Sequence, residues 1–133
     1  MIVVDTSAWV EFLRATGSPA DQALTAAIRA GEELAVLDAV RLELLAGGGS
    51  EGRTHDLRRL LARFTPVAAA SPADHEQAAT LYRAARRSGE TVRSLFDCLI
   101  AAAALRLSAP VLAQGRDFVV LARVSDLQLV PTH

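Results

Sequence analysis

The sequence predicts an α/β fold with a mainly parallel sheet. Short apolar runs of strand length alternate with amphipathic helical segments, and glycines or prolines separate the two kinds of element. The length of 133 residues, of which 51% are hydrophobic, suits a single domain over 1–133 with a sizeable core. No repeat or linker divides the chain.

Strands are predicted at residues 2–4, 34–37, 65–68, 110–113 and 127–130. The first two are purely apolar, which is typical of parallel strands buried on both faces. Pro66 cannot donate a ladder hydrogen bond, so the third strand is expected at a sheet edge, or Pro66 at a strand start.

Helices are predicted from Ser7 onward and over residues 21–29, 40–46, 53–64, 72–87, 95–107 and 118–124. Ser7 and Asp38 are predicted to cap the first and third of these helices. Residues 95–107 are the most hydrophobic segment, so this helix is expected at the centre of the fold.

The charge and cysteine content exclude several classes of protein. The net charge is -1, so affinity for phosphate must come from local arginines or a bound metal. All 14 cationic residues are Arg, which excludes mechanisms that need a lysine, including that of a receiver-like phosphoacceptor domain. Cys98 alone cannot form an internal disulfide, and no segment predicts a signal peptide or a membrane span. We therefore expect a soluble, cytoplasmic protein.

Two acidic residues, Asp5 and Glu43, follow the first two predicted strands along the chain. Asp5 directly follows the first strand, and the carboxyl ends of parallel strands are where open sheets bind ligands. Its alternative role is to cap the next helix. Glu43 lies within an apolar helix, and its alternative is an exposed helical glutamate.

Two further acids lie near the ends of later elements. Asp97 stands three residues after Ser94, in a pattern that resembles a capping box with Asp in place of Glu. This capping role is compatible with a role in a site. Asp117 precedes Phe118 after the fourth strand, and its alternative is a helix N-terminal acid favoured by the macrodipole.

Carboxylates brought together repel one another unless cations neutralise them. Hard oxygen ligands without histidine favour Mg²⁺ or Mn²⁺, which can activate water for phosphodiester hydrolysis. His55, His75 and His133 lack metal-ligand spacing and are predicted at the surface.

Four arginines lie near the third acid along the chain: Arg83, Arg86, Arg87 and Arg93. They are candidates for contacts with RNA phosphates. The alternative for them is a solvated helix face.

Three segments resemble the motifs of PIN-domain proteins, most clearly those of VapC toxins from type II toxin–antitoxin pairs. They are residues 3–9 (VVDTSAW), 40–47 (VRLELLAG) and 93–102 (RSLFDCLIAA). Their order and separation also match, and the resemblance covers essentially the whole chain.

The resemblance implies a PIN-like three-layer α/β/α fold with a short, mainly parallel sheet of four to five strands. It also implies an Mg²⁺- or Mn²⁺-dependent endoribonuclease that cuts tRNA or ribosomal RNA, forms homodimers and is silenced by a VapB antitoxin whose C-terminal arm covers the active site. By this resemblance Asp5 and Asp97 hold the metal, and Glu43 orients metal-bound water or ligates directly. Thr6 or Ser7 supports the first carboxylate.

The fourth acidic motif departs from the family pattern. The family often has an acid three residues before the phenylalanine and another immediately before it, whereas this chain has Gly115 and Asp117. We therefore expect one well-formed metal site, with Asp117 as a fourth catalytic candidate. The alternative function is a catalytically weak PIN domain that acts mainly as an antitoxin-binding module.

Overall fold

The computed structural model describes residues 1–132, so His133 lies outside the described residues. In chain order the elements are β1 (Ile2–Val4), α1 (Thr6–Leu13), α2 (Pro19–Arg29), β2 (Leu34–Leu37), α3 (Asp38–Ala46), α4 (Glu51–Leu61), β3 (Thr65–Val67), α5 (Ala73–Arg87), α6 (Leu95–Arg106), β4 (Val111–Leu112) and α7 (Asp117–Arg123).

The four strands form one parallel sheet in the order β3-β2-β1-β4. All four residues of β2 are buried, which requires cover on both faces of the sheet. β3, which contains Pro66, is an edge strand, as predicted. The predicted α/β fold is confirmed. Because β2 and β4 flank β1 on opposite sides, the boundary between β1 and β4 is a topological switch point.

The predicted strand at residues 127–130 is wrong. Only one parallel bridge forms there, between Val111 and Leu129. It is bounded by hydrogen bonds from Val111 N–H to Gln128 O and from Val130 N–H to Val111 O, both 2.9 Å long. Because β4 has only two residues, its free edge offers too few backbone partners to extend this bridge into a strand.

The two predicted helix caps at Ser7 and Asp38 are also wrong. Asp5 caps α1, because its carboxylate accepts the Ser7 N–H at 3.0 Å. Asp38 is the first residue of α3 and accepts the Ala39 N–H at 2.8 Å and the Ala69 N–H at 3.2 Å. Both helices therefore begin earlier than predicted, directly at the ends of their strands.

The central helix predicted from hydrophobicity is α6. Its buried residues lie on several sides of the helix: Cys98, Ile100, Ala101, Ala102, Ala103 and Ala104. Small alanine side chains let neighbouring elements pack closely against it. Across residues 1–132, no helix combines the length and the apolarity needed to cross a bilayer.

An ion pair between the exposed Arg106 and the buried Asp74 links the last residue of α6 to the first turn of α5. Arg106 Nε donates to both oxygens of Asp74, at 3.0 and 3.1 Å, and an Nη donates to Ala68 O. Burial alone would raise the pKa of Asp74, but the hydrogen bonds from Arg106 and the Ala70 N–H outweigh it and hold that pKa below its usual value. Asp74 is therefore ionised and depends on Arg106 for compensation.

Replacing Arg106 with alanine is expected to lower the free energy of unfolding by about 2 kcal/mol, because it leaves a buried carboxylate with too few donors. Urea denaturation measures this loss. Arg83→Ala, at an exposed position of α5, is the control and should stay within about 0.5 kcal/mol of the wild type. Equal stabilities of the Arg106 and Arg83 variants would contradict the structural role of the ion pair.

Candidate active site

The carboxylate of Asp5 is buried at the carboxyl end of β1, with the residue only 4% exposed. Its backbone N–H donates to Leu112 O of β4 at 2.9 Å, so the residue stands at the switch point of the sheet. Oδ2 accepts hydrogen bonds from Ser7, whereas Oδ1 is buried without a partner among the described residues. Asp5 thus both caps α1 and presents an uncompensated oxygen.

Ser7 connects the first acid to the loop after β4. Its hydroxyl donates to Asp5 Oδ2 at 2.5 Å and accepts the Gln114 N–H at 2.9 Å. Of the two hydroxyls proposed to support Asp5, the structure selects Ser7. The contribution of Gln114 was missed, and because it is a backbone group no residue type could have signalled it.

Thr6 supports the second acid instead. Its hydroxyl donates to Glu43 Oε1 at 2.8 Å, which ties the first turn of α1 to the middle of α3. Glu43 is partly buried, so the alternative of a freely exposed helical glutamate is wrong. Adjacent hydroxyls in one helical turn thereby orient carboxylates from two different elements.

Asp97 lies in the first turn of α6, where Ser94 caps the helix by accepting the Phe96 N–H at 3.1 Å. Burial, followed by the charges of Asp5, Asp117 and Glu43, raises the pKa of Asp97 to about 7. The four acids predicted from sequence therefore influence one another across the site.

Burial also raises the pKa of Asp5, more than its hydrogen bonds with Ser7 and Thr6 lower it, and the charge of Glu43 adds to the rise. The neighbouring Cys98 thiol is buried, which raises its pKa to about 11. Cys98 is therefore protonated near neutral pH and is a poor nucleophile.

Asp117 is the first residue of α7, as its alternative reading predicted, and it also pairs with Arg93. Arg93 Nε lies 3.4 Å from Asp117 Oδ2. Gly115, two residues earlier, has a φ of +99°, a conformation that side chains rarely adopt. An acid at position 115 would require the loop to change its backbone conformation.

A second ion-pair cluster holds the loop between α5 and α6 against α7. Glu90 accepts from Arg116 at 3.0 Å and from Arg123 at 3.1 Å. The ion pairs of Glu90 were not predicted from the sequence, because residues more than 25 positions apart give no local signal of pairing.

The donor set fits a hard divalent cation. All four charged groups are carboxylates, and Asp5 Oδ1 is a buried acceptor without a donor. Within the 132 described residues, no three His, Cys, Asp or Glu side chains already converge as a metal cluster. The other three carboxylates therefore influence the pKa of Asp97, but in the described part of the chain the four do not already surround a metal position.

A groove of about 720 Å³ opens beside Thr6 and Glu43, between α1, α3 and α4. Its lining is mixed, and its apolar residues are Val10, Leu13, Leu44, Leu57 and Leu60. Arg14, Arg53 and Asp56 lie along it.

The remaining sequence candidates lie outside the group of acids. His55 and His75 are exposed, as predicted. Arg83, Arg86 and Arg87 are exposed on α5, and Arg86 lies over the Tyr82 ring at 5.9 Å. These positions are compatible with both the RNA-contact and the solvated-face interpretation.

Comparisons with known proteins agree on one family. A family model described as a PIN domain matches residues 2–124. Ribonuclease VapC11 of Mycobacterium tuberculosis is 41% identical over 129 residues, 96% of each chain.

The toxin–antitoxin structure of VapBC2 from Rickettsia felis has a TM-score of 0.77 at 18% identity and covers 98% of each chain. VapC20 of Mycobacterium tuberculosis, a Sarcin-Ricin loop cleaving toxin, has a TM-score of 0.64 at 17% identity, with 96% of this chain and 99% of that one covered.

Without metal, stability is expected to fall as pH rises from about 4 to about 7, because Asp97 keeps its proton in the folded state and loses it in the unfolded state. Asp97→Asn should remove this contribution. Thermal unfolding in EDTA at about pH 5 and about pH 8 compares the two proteins. A wild type that loses no more stability over this interval than Asp97→Asn would contradict the raised pKa.

Proposed function

Because the chain belongs to the PIN-domain family and to its VapC group, we propose that it is a metal-dependent endoribonuclease and the toxin of a type II toxin–antitoxin pair. We propose further that residues 1–133 form a single domain with this one active site. VapC11 carries the name ribonuclease, and VapC20 is a Sarcin-Ricin loop cleaving toxin. These relatives favour structured RNA as the substrate class.

The observation that carries the proposal is the buried, unpartnered Oδ1 of Asp5, together with the effect of the charges of Asp5, Glu43 and Asp117 on Asp97. Leaving a buried acceptor and several like charges uncompensated is costly. A divalent cation would both bind the unpaired oxygen and neutralise the like charges. The arrangement of the site therefore favours metal binding over the stability of the metal-free protein.

Asp5, Asp97 and Glu43 are the residues that would hold Mg²⁺ or Mn²⁺. When bound, such an ion activates water and stabilises the charge that develops on a phosphodiester. Ser7 holds the Asp5 carboxylate through Oδ2 and leaves Oδ1 available. Thr6 holds Glu43 through one oxygen and leaves the other available to orient water.

The alternative, a catalytically weak module, has one observation in its favour. The loop conformation at Gly115 provides no fourth-motif acid beyond Asp117. However, the donors that orient Asp5 and Glu43 are both present. We therefore propose an active enzyme whose metal site depends on the first three acids.

We propose that a VapB-type antitoxin occupies the groove between α1, α3 and α4. Its lining of leucines and charged residues suits an amphipathic segment, and Leu13 within it is 47% exposed. Thr6 and Glu43 line the same groove, so a bound segment would contact the site and block RNA. VapBC2 of Rickettsia felis is a toxin–antitoxin complex of this fold.

Asp5→Asn is expected to reduce RNA cleavage at least about a hundredfold, because the amide removes the charge that holds the metal while it keeps the size of the side chain. The assay measures cleavage of tRNA and ribosomal RNA with Mg²⁺ or Mn²⁺. Asp126→Asn, at an exposed position, is the control and should leave activity unchanged. Cleavage that persists in Asp5→Asn, or in the wild type with EDTA, would refute the proposal.

Leu13→Asp is expected to weaken capture of the antitoxin, because it places a charge among the apolar residues of the groove. We expect an antitoxin-like reading frame immediately upstream of this gene, and co-expression with a tag on that product measures the complex. Val119→Asp changes another exposed apolar residue, which lies on α7 outside the groove, and should leave capture intact. Loss of capture in Val119→Asp but not in Leu13→Asp would place the partner elsewhere.

A further inference from the structure

The ion pair between Arg93 and Asp117 lies at the corner of the site where the family motif is incomplete. The Arg93 side chain is 82% exposed, whereas that of Asp117 is only 13% exposed. The carboxylate is thus largely shielded, whereas the arginine is exposed and brings its Nε within 3.4 Å of Asp117 Oδ2. A charge in this position compensates Asp117 without any bound ion.

Arg93 connects the segment of the third acidic motif to Asp117 of the fourth. It immediately precedes Ser94, the residue that caps α6 and thereby places Asp97. The same loop is tied to α7 by Glu90, which accepts from Arg116 and Arg123. Three ion pairs, of Arg93 with Asp117 and of Glu90 with Arg116 and Arg123, therefore hold this loop against the helix that carries Asp117 and the residue before it.

Arg116 is adjacent to Asp117 in sequence, but its hydrogen bond goes to Glu90. Among the residues that the structure describes, the ion pair of Asp117 is made by Arg93 alone. Because Gly115 contributes no carboxylate, Asp117 is also the only acid of the fourth motif. A second divalent cation would have one carboxylate there, and that carboxylate already faces a guanidinium.

We propose that Arg93 takes the place of a second divalent cation at Asp117, so that the centre binds a single cation near Asp5. This inference rests on the proposed metal-dependent function. Arg93 is a positioning residue in this arrangement, because it holds Asp117 and repels a second cation from it. The guanidinium is permanently charged, so its effect does not depend on metal supply.

Titration with Mn²⁺, followed by calorimetry and by electron paramagnetic resonance of the free ion, tests the inference without an activity assay. The wild type is expected to bind one equivalent per chain. Arg93→Ala is expected to bind a second equivalent, because it leaves the Asp117 carboxylate without its counter-charge. Arg93→Lys keeps the charge and should again bind one equivalent.

Arg87→Ala is the matched control, since it removes an exposed arginine near the same loop and should bind one equivalent. Two equivalents in the wild type, or a single equivalent in Arg93→Ala, would overturn the inference and leave the proposed function intact. Asp5→Asn should lose the first equivalent. No Mn²⁺ binding in the wild type, or full binding in Asp5→Asn, would overturn the proposed function and the inference with it.

Because Arg93 is mostly exposed, its replacement is expected to leave the fold unchanged, which circular dichroism of each variant verifies. Arg93→Gln, which keeps the length of the side chain but not its charge, should behave as Arg93→Ala does. A single equivalent in Arg93→Gln would likewise count against the inference.

Discussion

The carboxylate of Asp5 is buried at the end of β1, and the arrangement of the groups around it follows from that burial. Two hydrogen bonds from Ser7 satisfy one oxygen, while the other has no donor in the described part of the chain. Three other acids add negative charge to the same region. Carboxylates perturbed in this way are frequent in active sites, where a bound ligand compensates their charge.

The sheet supplies the geometry that this constraint needs. Asp5 follows β1 directly and lies next to β4, at the point where the strand order changes direction. The loop after β4 is therefore close enough for the Gln114 N–H to donate to the Ser7 hydroxyl. Glu43 comes from α3, which contacts β2, and Asp97 comes from α6, which contacts α3. The Asp74–Arg106 pair secures α5 against α6 away from the acids, so the elements that carry the site are held by contacts that the chemistry does not use.

Hydrophobic patterns predicted the element types well, because burial of β1, β2 and α6 depends on residue type along the chain. Boundaries were less predictable, because they depend on hydrogen-bond partners. Asp5 rather than Ser7 caps α1, because its carboxylate accepts one of the backbone N–H groups that lack a partner at the start of the helix. Residues 127–130 have the apolar composition of a strand, but β4 is too short to pair with them.

The sequence by itself determined the α/β class, the PIN-domain motifs and the four candidate acids, because these depend on residue identity and order. Only the tertiary structure decided that Ser7 supports Asp5 while Thr6 supports Glu43, since neighbouring residues in a helical turn point in different directions. It also decided that Arg93 rather than Arg116 faces Asp117. Such pairings join residues distant in sequence, and the packing of the loop between α5 and α6 against α7 sets them.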